Sequence, residues 1–199
     1  MPRRLILASA STGRSELLRR TGIAFEAIPS DCDEATNTTD PEEHVKELAL
    51  RKAQSVARRV KDAVVIGADT VVELDGEILG KPPGADGARE MLARLAGRTH
   101  RLVTGLAIVD SANGFAYDGT EQTLVRMRPL SASEIEAYVT SGEPLDKSGA
   151  YELQGLGATI IDRIEGDFSN VVGLPMAHLA RALTQFGVTL LDTERKEDR

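Results

Sequence analysis

Residues 63–72 read Ala63-Val-Val-Ile-Gly-Ala-Asp-Thr-Val-Val72, and the fold class turns on how this run is parsed. Its first six residues are small or β-branched apolar residues without polar alternation, the pattern of a fully buried strand. That strand is expected to stop at Asp69. Val71–Leu79 then reads as a hairpin around Asp75-Gly76, a dipeptide suited to the positive φ angles of a tight turn. Upstream, Pro41 opens a long helix whose Val45, Leu48, Ala49, Ala53, Val56, Ala57 and Val60 keep the i, i+3, i+4 spacing of a core-facing stripe. Further upstream, Arg4–Ala8 suits a buried strand, Ser11 or Thr12 caps a helix from Arg14 to Arg20, and Phe25–Pro29 reads as a second strand.

Downstream, a helix from Ala85 to Leu95 ends at Gly97, and strands at Leu102–Val109 and Phe115–Met127 flank the turn Ser111-Ala-Asn-Gly114. Ser131 caps a helix through Val139, with Glu134 placed for a capping box. A glycine-rich segment runs to Gly157, a strand spans Thr159–Ile164, and Pro175 starts a last helix through Phe186. Strands and helices alternate at first and strands cluster later, which predicts an α/β fold on a mixed sheet. No repeat or linker interrupts the chain, so residues 1–191 read as one domain. Residues 192–199, seven of them charged, read as a disordered tail.

The 199 residues carry 24 Lys+Arg against 31 Asp+Glu, a net charge of −7, and 41% are apolar, enough for a substantial core. An acidic surface with 4% aromatic residues and no Trp argues against nucleic acid as a partner. No window reaches the ~18 consecutive apolar residues of a membrane span. The N-terminus lacks the apolar core of a signal peptide, so a soluble cytoplasmic protein is expected. The single cysteine, Cys32, rules out an intrachain disulfide and a cysteine-based zinc site.

Four features carry chemistry. In Leu7-Ala-Ser-Ala-Ser-Thr-Gly-Arg14, small residues between a strand and a helix let backbone N–H groups face one ligand, with the helix N-terminus and Arg14 adding positive charge. A phosphate would suit this entry; an ordinary cap with a surface arginine is the plainer reading. Asp69 ends an apolar strand, where a carboxylate holds a divalent cation, activates water, or simply bonds turn amides. Lys52 falls on the apolar stripe of the long helix, either snorkelling to water or facing an anion. Gln154, between glycines in Gly149–Gly157, offers an amide with donor and acceptor for a base edge, or is part of a plain loop. Glu34 lies in an acidic cluster with Asp31 and Asp33 and could join Asp69 around a metal. Gly76–Lys81 is one residue short of a P-loop, and Pro82 stands where its Ser/Thr should be. His44, His100 and His178 have no ligand spacing and receive no role.

Together these segments resemble the Maf family of nucleoside triphosphate pyrophosphatases. The resemblance runs from Leu5 to about Leu183. It is carried by Leu7-Ala-Ser-Ala-Ser-x-x-Arg-x-Glu-Leu-Leu18, Lys52-Ala53, Gly67-Ala-Asp-Thr-Val-Val72, Gly80-Lys-Pro82, Gly142-Glu-Pro-Leu-Asp-Lys-Ser-Gly-Ala-Tyr151, Gln154–Gly157 and Asn170–Pro175. It implies a two-lobed fold like that of inosine triphosphatases, with an elongated mixed sheet flanked by helices and the active-site cleft between the lobes. It implies hydrolysis of a nucleoside triphosphate to the monophosphate and diphosphate, with a divalent cation, Mg or Mn, as cofactor. By this resemblance Asp69 is the catalytic base or a metal ligand, with Glu34 an acidic partner at the metal. Ser9, Ser11, Arg14, Lys52 and Lys81 bind phosphate, and Gly13, Thr70 and Gln154 set base specificity.

Thr70 and Gln154 resemble the subgroup that takes dTTP and UTP. Two alternatives are the same reaction on 7-methyl-GTP or another purine nucleotide, and a weakly catalytic nucleotide-binding regulator of cell division. The chain departs from the family pattern at Ser11-Thr-Gly-Arg14, where relatives read Ser-Pro-Arg-Arg, so Gly13 stands in place of an arginine. A homodimer is compatible with the resemblance, although no feature of the sequence encodes one.

Overall fold

The computed structural model describes residues 3–191; the tail expected at 192–199 lies outside them. Seven strands form one mixed sheet: β1 (Arg4–Leu7), β2 (Glu26–Ala27), β3 (Ala63–Leu74), β4 (Glu77–Leu79), β5 (Thr99–Asp110), β6 (Ala116–Met127) and β7 (Ile161–Glu165). Their order is β2-β1-β3-β5-β6-β7, with β4 hairpinned onto β3. The β2–β1–β3 side is parallel, and everything from β3 to β7 is antiparallel. Six helices cover the sheet: α1 (Thr12–Arg19), α2 (Pro41–Ala57), α3 (Gly84–Leu95), α4 (Ala132–Thr140), α5 (Phe168–Val172) and α6 (Met176–Leu183). None is long and apolar enough to cross a membrane among the described residues.

The long strands β3, β5 and β6 run through both lobes. On one face, Val64, Ile66 and Ala68 of β3 join Leu106 and Ile108 of β5 in a core closed by Leu18 of α1 and Leu179, Ala182 and Leu183 of α6. Further along that face, Val72 and Leu74 belong to a second core with Leu92 and Leu95 of α3 and Ile135 and Val139 of α4. Thr70 falls between them, which places the cleft at the seam. The other face carries α2, whose Ala49, Ala53 and Val56 pack on Val65 and Ala107. The two glycines there are required by close approach. A Cβ on Gly67 would lie 2.3 Å from the Ala49 carbonyl oxygen, and one on Gly105 would lie 2.1 Å from that of Val45. The helix backbone therefore rests directly on the sheet.

Several sequence expectations need correction. β3 does not stop at Asp69 but continues to Leu74, because β5 pairs with it without interruption from Val64↔Asp110 to Glu73↔Arg101. What stops is the strand on its other side. β1 is in register only as far as Leu7↔Ile66, and β4 begins at Val72↔Leu79, so among the described residues Gly67–Val71 has no strand neighbour on that edge. The helix α5, five residues long and capped by the Asp167 side chain, was not anticipated; so short a helix shows no apolar period to read. The strand expected at Phe25–Pro29 shortens to Glu26–Ala27, and that expected at Thr159–Ile164 begins two residues later, after a 3₁₀ turn at Leu156–Thr159. The turn at Asp75-Gly76 has the expected positive φ angles, 55° and 85°.

Candidate active site

The interrupted edge of β3 opens into a cleft of about 660 Å³. Ser9, Ser11, Gly13, Arg14, Glu34, Lys52, Asp69, Thr70, Lys81 and Gln154 all line it, so the structure brings the residues that the resemblance assigns to the site to one place, while Asp31 and Asp33 of the acidic cluster lie outside its lining. Successive side chains of a strand point to opposite faces, and Asp69 and Thr70 accordingly divide the cleft into two ends.

At the α2 end, Asp69 is buried beneath Lys52, with Nζ donating to Oδ1 at 2.6 Å. The same ammonium lies 2.9 Å from Oε1 of Glu34. The lysine on an apolar stripe and the aspartate in an apolar strand, each anomalous alone, are one ion pair set by the close seating of α2. Burial pushes the Glu34 carboxyl pKa up, but the bond from Lys52 and the fields of Lys52, Lys81 and Arg14 outweigh it and hold it below the usual range. Lys81 is exposed at the rim and has no ion-pair partner among the described residues. Asp69 Oδ2 likewise accepts no hydrogen bond among them.

At the other end, Ser11 caps α1 through the Arg14 amide, and Arg14 is threaded across the seam. Its Nε donates to the Gly173 carbonyl at 2.7 Å and its Nη2 to the Thr70 hydroxyl at 3.0 Å, with Nη1 3.5 Å from Ser9 Oγ. Burial lowers the Arg14 pKa, opposed by Asp69 and Glu34; its ordinary value is so high that the guanidinium stays charged. The Thr70 hydroxyl is also 2.9 Å from that of Thr104, so it is committed to holding Arg14 in place. The Gln154 carboxamide makes no hydrogen bond among the described residues, leaving a donor and an acceptor facing the cleft. A Cβ on Gly13 would sit 3.2 Å from Val172 Cγ1 and 3.7 Å from Gln154 Oε1. A side chain at position 13 would therefore run alongside that amide.

The sequence reading passed over several lining residues. Lys147 brings a fourth cation, 2.8 Å from Asp146 and 3.3 Å from Glu152. Burial pulls its ammonium pKa down, but those two carboxylates raise it further. Ser148 donates to the Thr70 carbonyl at 3.0 Å, satisfying the β3 edge that lacks a strand partner. Both lie in Gly142–Tyr151, where the lysine inside a glycine-bounded motif was the available signal. No group of three or more His, Cys, Asp or Glu side chains converges among the described residues. Asp69 and Glu34 nevertheless share one cation, Lys52, and two carboxylates with open positions suit Mg²⁺, which usually keeps several waters and substrate phosphate oxygens as ligands.

A cleft with a buried carboxylate, clustered cations at one end and a free amide at the other defines a class: an α/β protein built for a polyanion carrying a planar polar group. The Maf-like protein family matches residues 4–186, and the chain belongs to that family. A protein of Symbiobacterium thermophilum named dTTP/UTP pyrophosphatase is 49% identical over 184 residues, covering 92% of this chain and 94% of that one. One of the same name from Moorella thermoacetica is 48% identical, covering 93% and 96%. Another, from Bacillus cereus strain G9842, is 44% identical, covering 94% and 97%.

Proposed function

We propose that the protein is a nucleoside triphosphate pyrophosphatase acting on dTTP and UTP, releasing the monophosphate and diphosphate. The observation that carries the reading is Asp69, held by Lys52 on the floor of a cleft that also presents Arg14, Lys81 and Lys147. Relatives so named are similar over nearly the whole chain. A triphosphate bears about four negative charges, and catalysis of its cleavage consists largely of positioning and of cations placed where charge develops. Lys52, Lys81 and Lys147 supply these, with Ser9, Ser11 and the first-turn amides of α1 receiving phosphate oxygens. Arg14, spent mainly on Gly173 and Thr70, keeps the seam rigid and adds its field.

Asp69, with Oδ2 open, takes the proton of a water that attacks phosphorus. The water oxygen bonds to phosphorus as the bridging P–O bond breaks, and the electron pair leaves with diphosphate. Asp69 and Glu34 are the residues that would hold a divalent cation, and such an ion would supply charge neutralisation on the phosphate oxygens. At the other end Gln154 offers its amide to the pyrimidine edge, with Gly13 leaving room beside it. Release of diphosphate from a panel of nucleoside triphosphates, with Mg²⁺ or Mn²⁺, tests the reading. Turnover of dTTP and UTP well above purine nucleotides is expected. Turnover confined to 7-methyl-GTP or another purine would overturn the specificity, and binding without turnover of any nucleotide would overturn the activity.

A further inference from the structure

The residue that reads the base must itself be held, and the Gln154 side chain has no hydrogen-bond partner among the described residues to hold it. Its position is set by the backbone of residues 152–157, and that backbone is tied to one carboxylate. Glu143 opens the 3₁₀ turn Glu143–Asp146 just after α4. Its Oε2 accepts from the Leu156 amide at 2.9 Å, and its Oε1 accepts from the Gly157 amide at 2.8 Å and from the Tyr138 hydroxyl at 2.9 Å. Tyr138 Oη in turn accepts from the Glu152 amide at 3.1 Å. Backbone ties at 152, 156 and 157 thus bracket Gln154 on both sides.

Between them the chain passes over the carboxylate so closely that only glycine fits. Gly155 has φ 137° and ψ −145°, and a Cβ there would lie 2.5 Å from Glu143 Oε2. Such backbone conformations persist where surrounding structure over-determines them and cluster at functional sites. Burial pushes the Glu143 carboxyl up, but the two backbone amides and Tyr138 hold it below the ordinary range, so it remains ionised as the acceptor of all three bonds. Tyr138 is anchored in the core of the second lobe, whereas Gly13 and Arg14 belong to α1 in the first. The carboxylate therefore ties the wall that carries Gln154 to the core of the second lobe, and it does so without lining the cleft itself.

We propose that Glu143 is a positioning residue for base discrimination, acting through the loop that carries Gln154 and not through contact with the nucleotide. The proposal rests on the pyrimidine nucleotide reading above. Small displacements of a positioning group cost disproportionately, so the effect is expected in selectivity. In Glu143→Gln, which keeps the shape but replaces one acceptor oxygen with an amide donor, the ratio of kcat/KM for UTP over GTP should fall about tenfold. The fall should come from a higher KM for UTP, with kcat changed by less than about threefold. Tyr138→Phe should move the ratio the same way by a smaller factor, and it carries the test if Glu143→Gln fails to fold.

In a Gln154→Ala background, Glu143→Gln should cause no further loss of selectivity, because the group it positions is gone. Hydrogen exchange at the Leu156 and Gly157 amides, read without substrate, should accelerate in Glu143→Gln. Equal losses for UTP and GTP, a loss confined to kcat, or full additivity with Gln154→Ala would each overturn the proposal. So would faster exchange with unchanged selectivity. Absence of UTP turnover in the unaltered protein would instead be the failure of the functional reading, with the exchange result still reporting on the loop.

Discussion

At the α2 end of the cleft, Lys52 is already paired with both Asp69 and Glu34, and the helix that carries it rests on Gly67 and Gly105 with no room for a side chain between. At the end proposed to take the base, the Gln154 amide has no hydrogen bond among the described residues, and position 13 is a glycine beside it. One end is preorganised by secondary structure packed face to face; the other is a loop held by hydrogen bonds to its backbone. Preorganised charge is what phosphoryl transfer needs, since it costs no rearrangement as the transition state forms. Base recognition tolerates a softer construction, and a loop can be altered without disturbing the sheet.

The largest effects should therefore come from the rigid end. Asp69→Asn should lower kcat for UTP by about 10³-fold, the range of a lost general base. Lys52→Ala should cost about 10²- to 10³-fold in kcat/KM, the loss of one charge-stabilising contact. It should also destabilise the fold by about 3 kcal/mol in urea, because the buried Asp69 carboxylate is left without its ion-pair partner. If Lys52→Ala proved as stable as the unaltered protein, the idea that the ion pair organises this end would break.

The core of the second lobe, to which Tyr151 belongs, responds to acid. His100 is buried, with Nε2 2.8 Å from the Tyr151 hydroxyl and Nδ1 without a partner among the described residues, and burial lowers its pKa to about 4. The unfolded chain takes up this proton near pH 6.5, the folded chain only near pH 4. Stability is therefore full above pH 6.5 and falls as pH drops through that window, by about 3 kcal/mol in all. His100→Gln, which can keep the Tyr151 bond, should show a correspondingly shallower decline in urea-unfolding free energy from pH 7 to 4. Equal slopes would contradict the buried neutral imidazole. The smallest effect is expected at Gly13→Arg, where the new side chain must displace Val172 slightly and line up beside Gln154. The ratio of kcat/KM for UTP over GTP should rise about fivefold with little change in melting temperature. An effect on kcat as large as that of Lys52→Ala would erase the distinction between the two ends.

The sequence and the structure agree most where a pattern is local and repeated. The apolar stripe of α2, the capping box at Ser131 and Glu134, and the Asp75-Gly76 turn were all legible, because each is decided within one or two turns of chain. The site residues were legible as anomalies. Lys52 and Asp69 were out of place in their own elements, and the resemblance to a family assigned them roles. Their pairing was not legible, since it depends on Gly67 and Gly105 letting α2 down onto β3. The continuation of β3 past Asp69 was hidden for a related reason: a carboxylate in an apolar run reads as an end unless its partner is known. Glu143 lay inside the Gly142–Tyr151 motif but its role was not legible, because two of its three partners are backbone amides, which every residue carries, and the third is Tyr138 on the preceding helix.

The account rests on Asp69 serving the reaction and not the hold on the nucleotide. The direct measurement is equilibrium binding of UTP to Asp69→Asn beside the unaltered protein, with diphosphate release followed on the same samples. Affinity within about threefold and turnover reduced by about 10³-fold is the predicted result. Turnover that survives the substitution, or one that falls only in step with lost binding, would contradict it.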